Sequence, residues 1–470
     1  MRLTTLINSK KILAGILIAT GLSGCEKLIE IPAPVTEMSS ELVFSSKQTA
    51  LSALSGAMSS TTNSLTMAVY MTASTSMAAD ELRFLANTNY EETENNTYTP
   101  LSSTSAVSTL NSLWADLYAN IYRFNALLEG VERSTALSDS LKTQIAGNAK
   151  FMRGLCYFYL ANLYKDVPLI LITDVNQTAL APKVTQAAIY EQIITDLVQA
   201  RDVLPADFSS VPGARTVITK WAASALLARV YLYTEQWALA EAEASKVIDG
   251  GGALFAMNTS ETLSDVFLRN SREAILQFGS YISPTTGYTY EGMSFASTYT
   301  QYSLRPEFMS SFEDGDLRRT DWIRDTTYLG VVNHQPYKFK VITNANGAGR
   351  MEAPTPLRLA EQYLIRAEAK LQQERAVEGR DDMNVVRVRA GLEASAATDA
   401  ATIALQIEEE NRHEFFCENG HRWFDLRRTG RINTVLGALK STWQPRAAYF
   451  PLPQVAINAN PNLRQNPDYE

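Results

Sequence analysis

The sequence predicts a mostly α-helical protein: an irregular tetratricopeptide-like helical scaffold with long loop insertions and a few short strands. Three observations carry that expectation. Apolar residues recur at helical spacing through most of the chain. Residues 219–248 have the mix of small and large side chains expected of a tetratricopeptide helix pair. Residues 250–350 break both patterns with glycines, strand-like runs and a polar-aromatic stretch.

The N-terminus reads as a sorting signal. Arg2, Lys10 and Lys11 form a positive region, followed by an apolar run from Ile12 to Leu22 that is too short to span a bilayer. Leu22-Ser23-Gly24-Cys25 resembles the lipobox of bacterial lipoproteins, in which the signal is cut before a cysteine that is then acylated. Residues 1–24 are therefore expected to be a lipoprotein signal peptide and Cys25 the lipidation site. Several acyl chains, at about 0.8 kcal/mol per buried methylene, would anchor the chain firmly. Residues 25–44, with Pro32, Pro34 and several acids, read as a tether, and residues 45–470 as a single body.

Helices follow in order. Residues 45–60 place Ala50, Leu51, Leu54 and Met58 on one side; residues 110–131 repeat Leu113, Leu117, Ile121, Phe124 and Leu128. Residues 143–164 do the same with Ile145, Met152, Leu155, Tyr159 and Leu163 before Asp166-Val167-Pro168 stops them, and residues 189–204 end at Pro205. Leu227, Ala228, Tyr231, Trp237, Ala240, Ala244 and Val247 mark the helix pair, with weaker relatives at 153–160 and 364–371. They do not recur at the 34-residue period of a tandem array, so no regular solenoid is expected. Gly250-Gly251-Gly252 closes this helical part. Residues 274–278 and 338–341 then read as strands, and helix returns at Leu357. Prolines 445, 451, 453, 461 and 467 predict an extended, ordered tail.

Composition excludes several functions. With 470 residues, 46% hydrophobic and 20% charged, the chain has an ordinary globular composition. A net charge of −8 argues against nucleic-acid binding, and loss of the signal's three basic residues leaves 39 basic against 50 acidic. Three cysteines and three histidines offer little for a metal cluster or disulfide framework. Cys156 and Cys417 read as buried free thiols, although a bridge between them is compatible with the sequence. His413-Glu414-Phe415-Phe416-Cys417 lacks the second histidine of a zinc protease motif. It reads instead as a charged helix over residues 410–428, whose Arg412, Glu414, Arg422, Asp425 and Arg427 pair internally. No nucleophile elbow, P-loop or Rossmann glycine pattern is present, so no catalytic residue, metal or cofactor is assigned. A lipid-anchored hydrolase with an unrecognised carboxylate pair is the enzymatic alternative.

Tyr281, Tyr288, Tyr290, Tyr299 and Tyr302 fall in one short stretch, where the chain average of 21 in 470 would give about one. Rings over polar, flexible backbone suit a sugar, whose C–H groups stack while its hydroxyls hydrogen-bond. The same rings would equally pack a small strand region.

Four ordered segments together resemble one family, the SusD/RagB surface lipoproteins of Bacteroidetes. Arg153 to Phe158 with Asn162 to Leu169 is similar to its R-A-x-x-Y-F-x-L-x-x-x-Y-G-D-V-P-L segment, with Lys165 in place of the glycine. Arg358 to Glu361 with Leu364 to Ala369 resembles R-L-A-E-x-Y-L-x-x-A-E-A. Asn411 to Phe415 with Gly420 to Arg428 resembles E-R-x-x-E-F-x-x-E-G-x-R-W-x-D-L-R-R, and Leu452 to Tyr469 resembles the family's closing segment. The resemblance implies a non-catalytic nutrient-binding protein on the outer face of the outer membrane. It would capture a glycan, or in some members a peptide, for a SusC-like TonB-dependent transporter. A helical interaction scaffold outside transport is the remaining alternative. The resemblance also implies a site built by aromatics from two insertions, with an acid and an arginine from the first. Asp80 and Arg83 are the candidates from the first insertion; Tyr288, Tyr290 and Trp322 are the candidates from the second. For Asp80 and Arg83, a helix-capping carboxylate and a solvated guanidinium are the competing reading.

Replacing Cys25 by Ala is expected to release the protein from the outer membrane; fractionation and protease accessibility of intact cells measure this. Retention at the surface would remove the anchor.

Overall fold

The computed structural model describes residues 40–470 except 212, 280–281, 283–287, 298–300, 329, 343–349, 468 and 470. The signal peptide, Cys25, Tyr281 and Tyr299 lie outside the described residues. Residues 40–44, assigned above to the tether, contain a helical turn, Ser40–Val43, and the buried Phe44. Phe44 lies so close to Gly130 that a Cβ there would sit 2.0 Å from its ring, which explains the glycine.

The expected helices form with small changes at their ends. They are α1 (Lys47–Thr62), α2 (Ser105–Arg133), α3 (Asp139–Tyr164), α4 (Gln186–Val203), α5 (Lys220–Tyr233) and α6 (Trp237–Ser245). Side chains of Ser46, Thr104, Ser138 and Thr185 accept hydrogen bonds from backbone N–H groups in the first turns of α1 to α4, satisfying donors the helix leaves open. The C-terminal part adds α7 (Leu359–Gln372), α8 (Ala376–Arg389), α9 (Ala400–Phe415) and α10 (His421–Arg428). From α2 to α8 each helix packs on the next, and α9 closes on α7 and α8. The α6–α7 contact skips residues 250–356, so that long insertion leaves and re-enters the scaffold at one place.

Strands are short and come as four antiparallel pairs among the described residues: β1 (Leu82–Phe84) with β5 (Tyr302–Leu304), β2 (Val167–Pro168) with β3 (Lys183–Val184), β4 (Ala274–Leu276) with β8 (Leu357–Arg358), and β6 (Ile323–Tyr328) with β7 (Val331–Pro336). Residues 338–341, expected as a strand, are not one. Lys340 and Val341 give their N–H groups to the Glu352 carboxylate instead of to a neighbouring strand. The tail runs over α3 as expected, Phe450 N donating to Leu163 O and Asn466 Nδ2 to Tyr164 O, but carries short helices at Ile432–Leu439 and Gln454–Ala459.

The 410–428 segment departs most from its sequence reading. It is two helices, split where Cys417, Asn419 and Gly420 take positive φ. Asp425 pairs within it as expected, with Arg428 at 2.7 Å, but most of its other charges reach away from it and several are buried. Glu414 accepts from Arg358 and Arg389 and lies 3.4 Å from Arg318. Glu418 binds Arg358 and, at 2.5 Å, Lys338. Glu273 pairs with Arg358 at 3.2 Å and Arg389 at 3.3 Å; Arg318 also holds Asp316 and Glu410. All of these side chains are at most 8% exposed. Burial alone would raise the Glu414 carboxyl, but three guanidinium groups outweigh it and keep it ionised.

Glu414→Ala should lower unfolding free energy by about 3–5 kcal/mol, because it strands buried arginines. Arg133→Ala, which removes a surface pair with Glu129, should cost about 1 kcal/mol or less. Urea unfolding of both variants checks the contrast; equal midpoints would contradict it.

Candidate ligand-binding site

The first insertion begins where the helix Met71–Ala78 ends. Lys440 Nζ donates to Met77 O, Ala78 O and Asn96 Oδ1, fixing that end. Asp80 follows, 3% exposed, with its carboxylate held by Arg422 at 2.9 and 3.0 Å and by Arg412 at 3.0 Å. Burial pushes its pKa up, but the two arginines prevail and hold it at about 2. Glu81 is also buried; its Oε2 accepts from Cys417 N at 3.3 Å, and its Oε1 has no partner among the described residues. Burial pushes this carboxyl up to about 7.

Next comes β1, in which Leu82 is buried, Arg83 exposed and Phe84 half-buried. Asp80 and Arg83 are therefore not brought into one pocket: the acid is consumed internally and the arginine faces water. Asp80 does not act as a helix cap either.

β1 pairs with β5 so that Phe84 stands opposite Tyr302. Their rings meet edge-on at 5.0 Å, and Tyr90 meets Phe84 at 4.9 Å. Phe295 lies 5.2 Å from Tyr302 beneath them. Glu94 Oε1 accepts from Phe84 N at 2.5 Å, and Arg305 Nη2 donates to Glu94 O, so the two insertions are tied together. The short helix Tyr290–Phe295 packs on the turn Thr66–Tyr70, and Tyr70 and Tyr290 are both half-buried against the same cluster. Four half-buried rings, Tyr70, Phe84, Tyr90 and Tyr290, thus pack against the cluster that holds Phe295 and Tyr302. Exposed Asn87, Thr88 and Asn89 lie between Phe84 and Tyr90 in sequence and supply amides and a hydroxyl. Tyr288 is half-buried just before the Tyr290 helix.

Within the Tyr290–Phe295 helix, Glu291 is buried with Oε2 unpartnered among the described residues, and burial, reinforced by the Glu352 charge, pushes it up to about 8.

Trp322 is a correction. It is 0% exposed, donates from Nε1 to Leu263 O and sits 5.6 Å from the Phe267 ring. Lys338, Arg389 and Arg358 lie 4.8, 5.5 and 5.9 Å from its ring, so it lines the buried charge cluster instead of presenting a stacking face. Tyr70, Phe84 and Tyr90 were not named by the sequence reading, which expected aromatics from two insertions but picked candidates only from the second; the clue was Phe84 and Tyr90 flanking Asn87-Thr88-Asn89. His413 stacks on Phe312 at 4.4 Å with Nε2 2.8 Å from Ser311 Oγ, and burial with nearby arginines keeps it neutral. Cys156 and Cys417 are both free thiols.

A family model described as starch-binding and associating with the outer membrane matches residues 34–232, and the SusD family model matches residues 288–469. The chain belongs to the SusD/RagB family. Proteins of the SusD/RagB family are binding proteins associated with the outer membrane, generally bind glycans and partner SusC-like transporters. Among relatives, SusD-like protein P25 of Formosa agariphila is 23% identical over 427 residues, 76% of this chain and 78% of that protein. A SusD superfamily crystal structure from Bacteroides vulgatus superposes with a TM-score of 0.77 at 20% identity, covering 90% of this chain and 99% of that one. A SusD-like carbohydrate binding protein from the same organism gives 0.69 at 20% identity, covering 82% and 83%. These likenesses establish the SusD fold, including its tetratricopeptide-like scaffold. No helix among the described residues is long and apolar enough to cross a membrane.

The two raised carboxyls set a pH dependence. Glu81 and Glu291 fit the fold when protonated, so their contribution to stability is complete below the unfolded value near 4.5 and is lost as pH rises through about 7 and about 8. Asp80 has the opposite sign, losing its contribution as pH falls through about 2. Glu81→Gln should therefore flatten the decline in stability between pH 5 and 8 by an amount on the order of 3 kcal/mol. Denaturant midpoints across that range test it, and parallel wild-type and variant curves would refute it.

Proposed function

We propose that this protein is a cell-surface lipoprotein, anchored through Cys25, that captures oligosaccharides at the aromatic patch and passes them to a SusC-like TonB-dependent transporter without turning them over. The observation that carries this reading is the group of half-buried rings Tyr70, Phe84, Tyr90 and Tyr290, drawn from the turn before the first insertion and from both insertions, and bordered by Asn87, Thr88 and Asn89. Half-buried rings next to amides and a hydroxyl offer faces for sugar C–H groups and partners for sugar hydroxyls. Tyr288 is a further ligand contact in this proposal, whereas Arg83, exposed on the other face of β1, points away from the patch. The description of one fold relative as a carbohydrate binding protein supports the same substrate class.

Aromatic rings that bear on the ligand should each contribute on the order of 1–3 kcal/mol. Phe84→Ala with Tyr90→Ala, and Tyr288→Ala with Tyr290→Ala, should weaken binding to the glycan identified on an array by that amount, measured by calorimetry, with melting little changed. Unchanged affinity in both variants would remove the patch as the site. Products above a no-protein control would show an enzyme, and native-membrane purification lacking a large barrel transporter would count against the partnership.

A further inference from the structure

A cavity of about 460 Å³ opens between α7, α9 and α10, with a residue set separate from the aromatic patch. Its wall is aliphatic: Leu371, Ala401, Ala404, Leu405, Ile407 and Leu426. Leu405 is 55% exposed, a large apolar side chain left open to water. No aromatic ring lines the cavity, so it offers no stacking face for a sugar.

Its acids are already neutralised. Glu368 is held bidentate by Arg428 at 2.6 Å, and Asp425 by the same guanidinium at 2.7 Å. Glu408 lies between Arg422, at 3.2 Å, and Arg431, at 3.1 Å. A cation would therefore find no unpaired carboxylate. Arg422 is spent as well, since its remaining nitrogens hold Asp80. Arg431 is not. Its Nε approaches Glu408 without hydrogen-bond alignment, its side chain is 42% exposed, and its terminal nitrogens have no partner among the described residues. Asn411 donates from Nδ2 to Ile407 O, leaving Oδ1 as an acceptor, and the exposed Gln372 amide has no partner among the described residues.

A guanidinium whose terminal nitrogens are open although its Nε lies beside Glu408, a neighbouring amide acceptor and a branched aliphatic wall match one chemical pattern: a carboxylate, a peptide N–H and an aliphatic side chain on adjoining atoms. We propose that this cavity captures the C-terminal end of a partner polypeptide whose last residue is aliphatic. The terminal carboxylate lies on Arg431, the last peptide N–H donates to Asn411, and the last side chain fills the space beside Leu405 and Leu426. The volume suits a small ligand of this size.

The test uses the full-length protein in detergent and a fluorescent hexapeptide ending in Ala-Leu, made as the free acid and as the C-terminal amide. The free acid should bind saturably and the amide about tenfold more weakly. Arg431→Gln should bring the acid down to the level of the amide, and Ala404→Trp, which fills the cavity, should abolish binding of both. Glycan affinity at the aromatic patch, measured on the same variants, should not change, so this proposal and the glycan reading fail separately. Equal binding of acid and amide, no saturable binding up to about 1 mM, or binding of decanoate but of neither peptide would overturn the proposal. If either variant melts early, the acid–amide contrast on the wild-type protein decides.

Discussion

Glu414 and Arg358 sit in the middle of a charge cluster that water does not reach, and three stretches of the chain after residue 250 contribute to it. The insertion brings Glu273, Asp316, Arg318 and Lys338; the returning scaffold brings Arg358 and Arg389; the C-terminal segment brings Glu410, Glu414 and Glu418. Burying so many ions is expensive, and a cluster of this kind persists only if nearly every one has partners in good geometry. Its value lies in specificity more than in net stability: the partners are far apart in sequence, and a shift of any one element strands a charge. Trp322, Phe415 and Phe416 wall the cluster, with Arg358 4.1 Å from the Phe415 ring and Lys338 4.0 Å from that of Phe416.

The same logic extends to the candidate site. Asp80 is tied to Arg412 and Arg422, the helix end before it to Lys440, and Phe84 to Glu94, so the backbone from 77 to 84 is held from three directions. β1 then needs only three residues of pairing to place Phe84 against Tyr302. Rings positioned in this way lose little freedom when a ligand lands on them, which lowers the entropic cost of binding. Charge inside and aromatic rings outside divide the labour: ion pairs position the strand, and rings make the surface.

How far the sequence could be read follows from the range of the interactions that decide each feature. α3 was legible because Ile145, Met152, Leu155 and Tyr159 repeat at helical spacing and Asp166-Val167-Pro168 ends it, all local signals. The hairpin of β6 and β7 was not, since Arg324-Asp325-Thr326-Thr327 is polar and gives no core-facing alternation. The split at 417–420 did carry a local signal, Asn419-Gly420, but the run of charges on both sides of it was read as one continuous helix; Cys417, Asn419 and Gly420 all take positive φ there. Trp322 looked like a surface ring because no helical pattern around it offers a core to fill; it is buried against Leu263, Phe267, Arg358, Arg389 and Lys338, which no local pattern connects to it. Asp80 was misjudged for the same reason, its partners lying more than three hundred residues away.

Direct packing of α6 on α7 brings together the two ends of the intervening 250–356 segment, which is then fastened to the body by its buried ion pairs and its pairing with β1. The entropy of closing such a loop grows only with the logarithm of its length, about 0.6 kcal/mol per doubling. Insertions and deletions there would be tolerated wherever they spare Glu273, Asp316, Arg318 and Lys338. A lineage could therefore exchange the recognition surface for another diet while inheriting the frame unchanged.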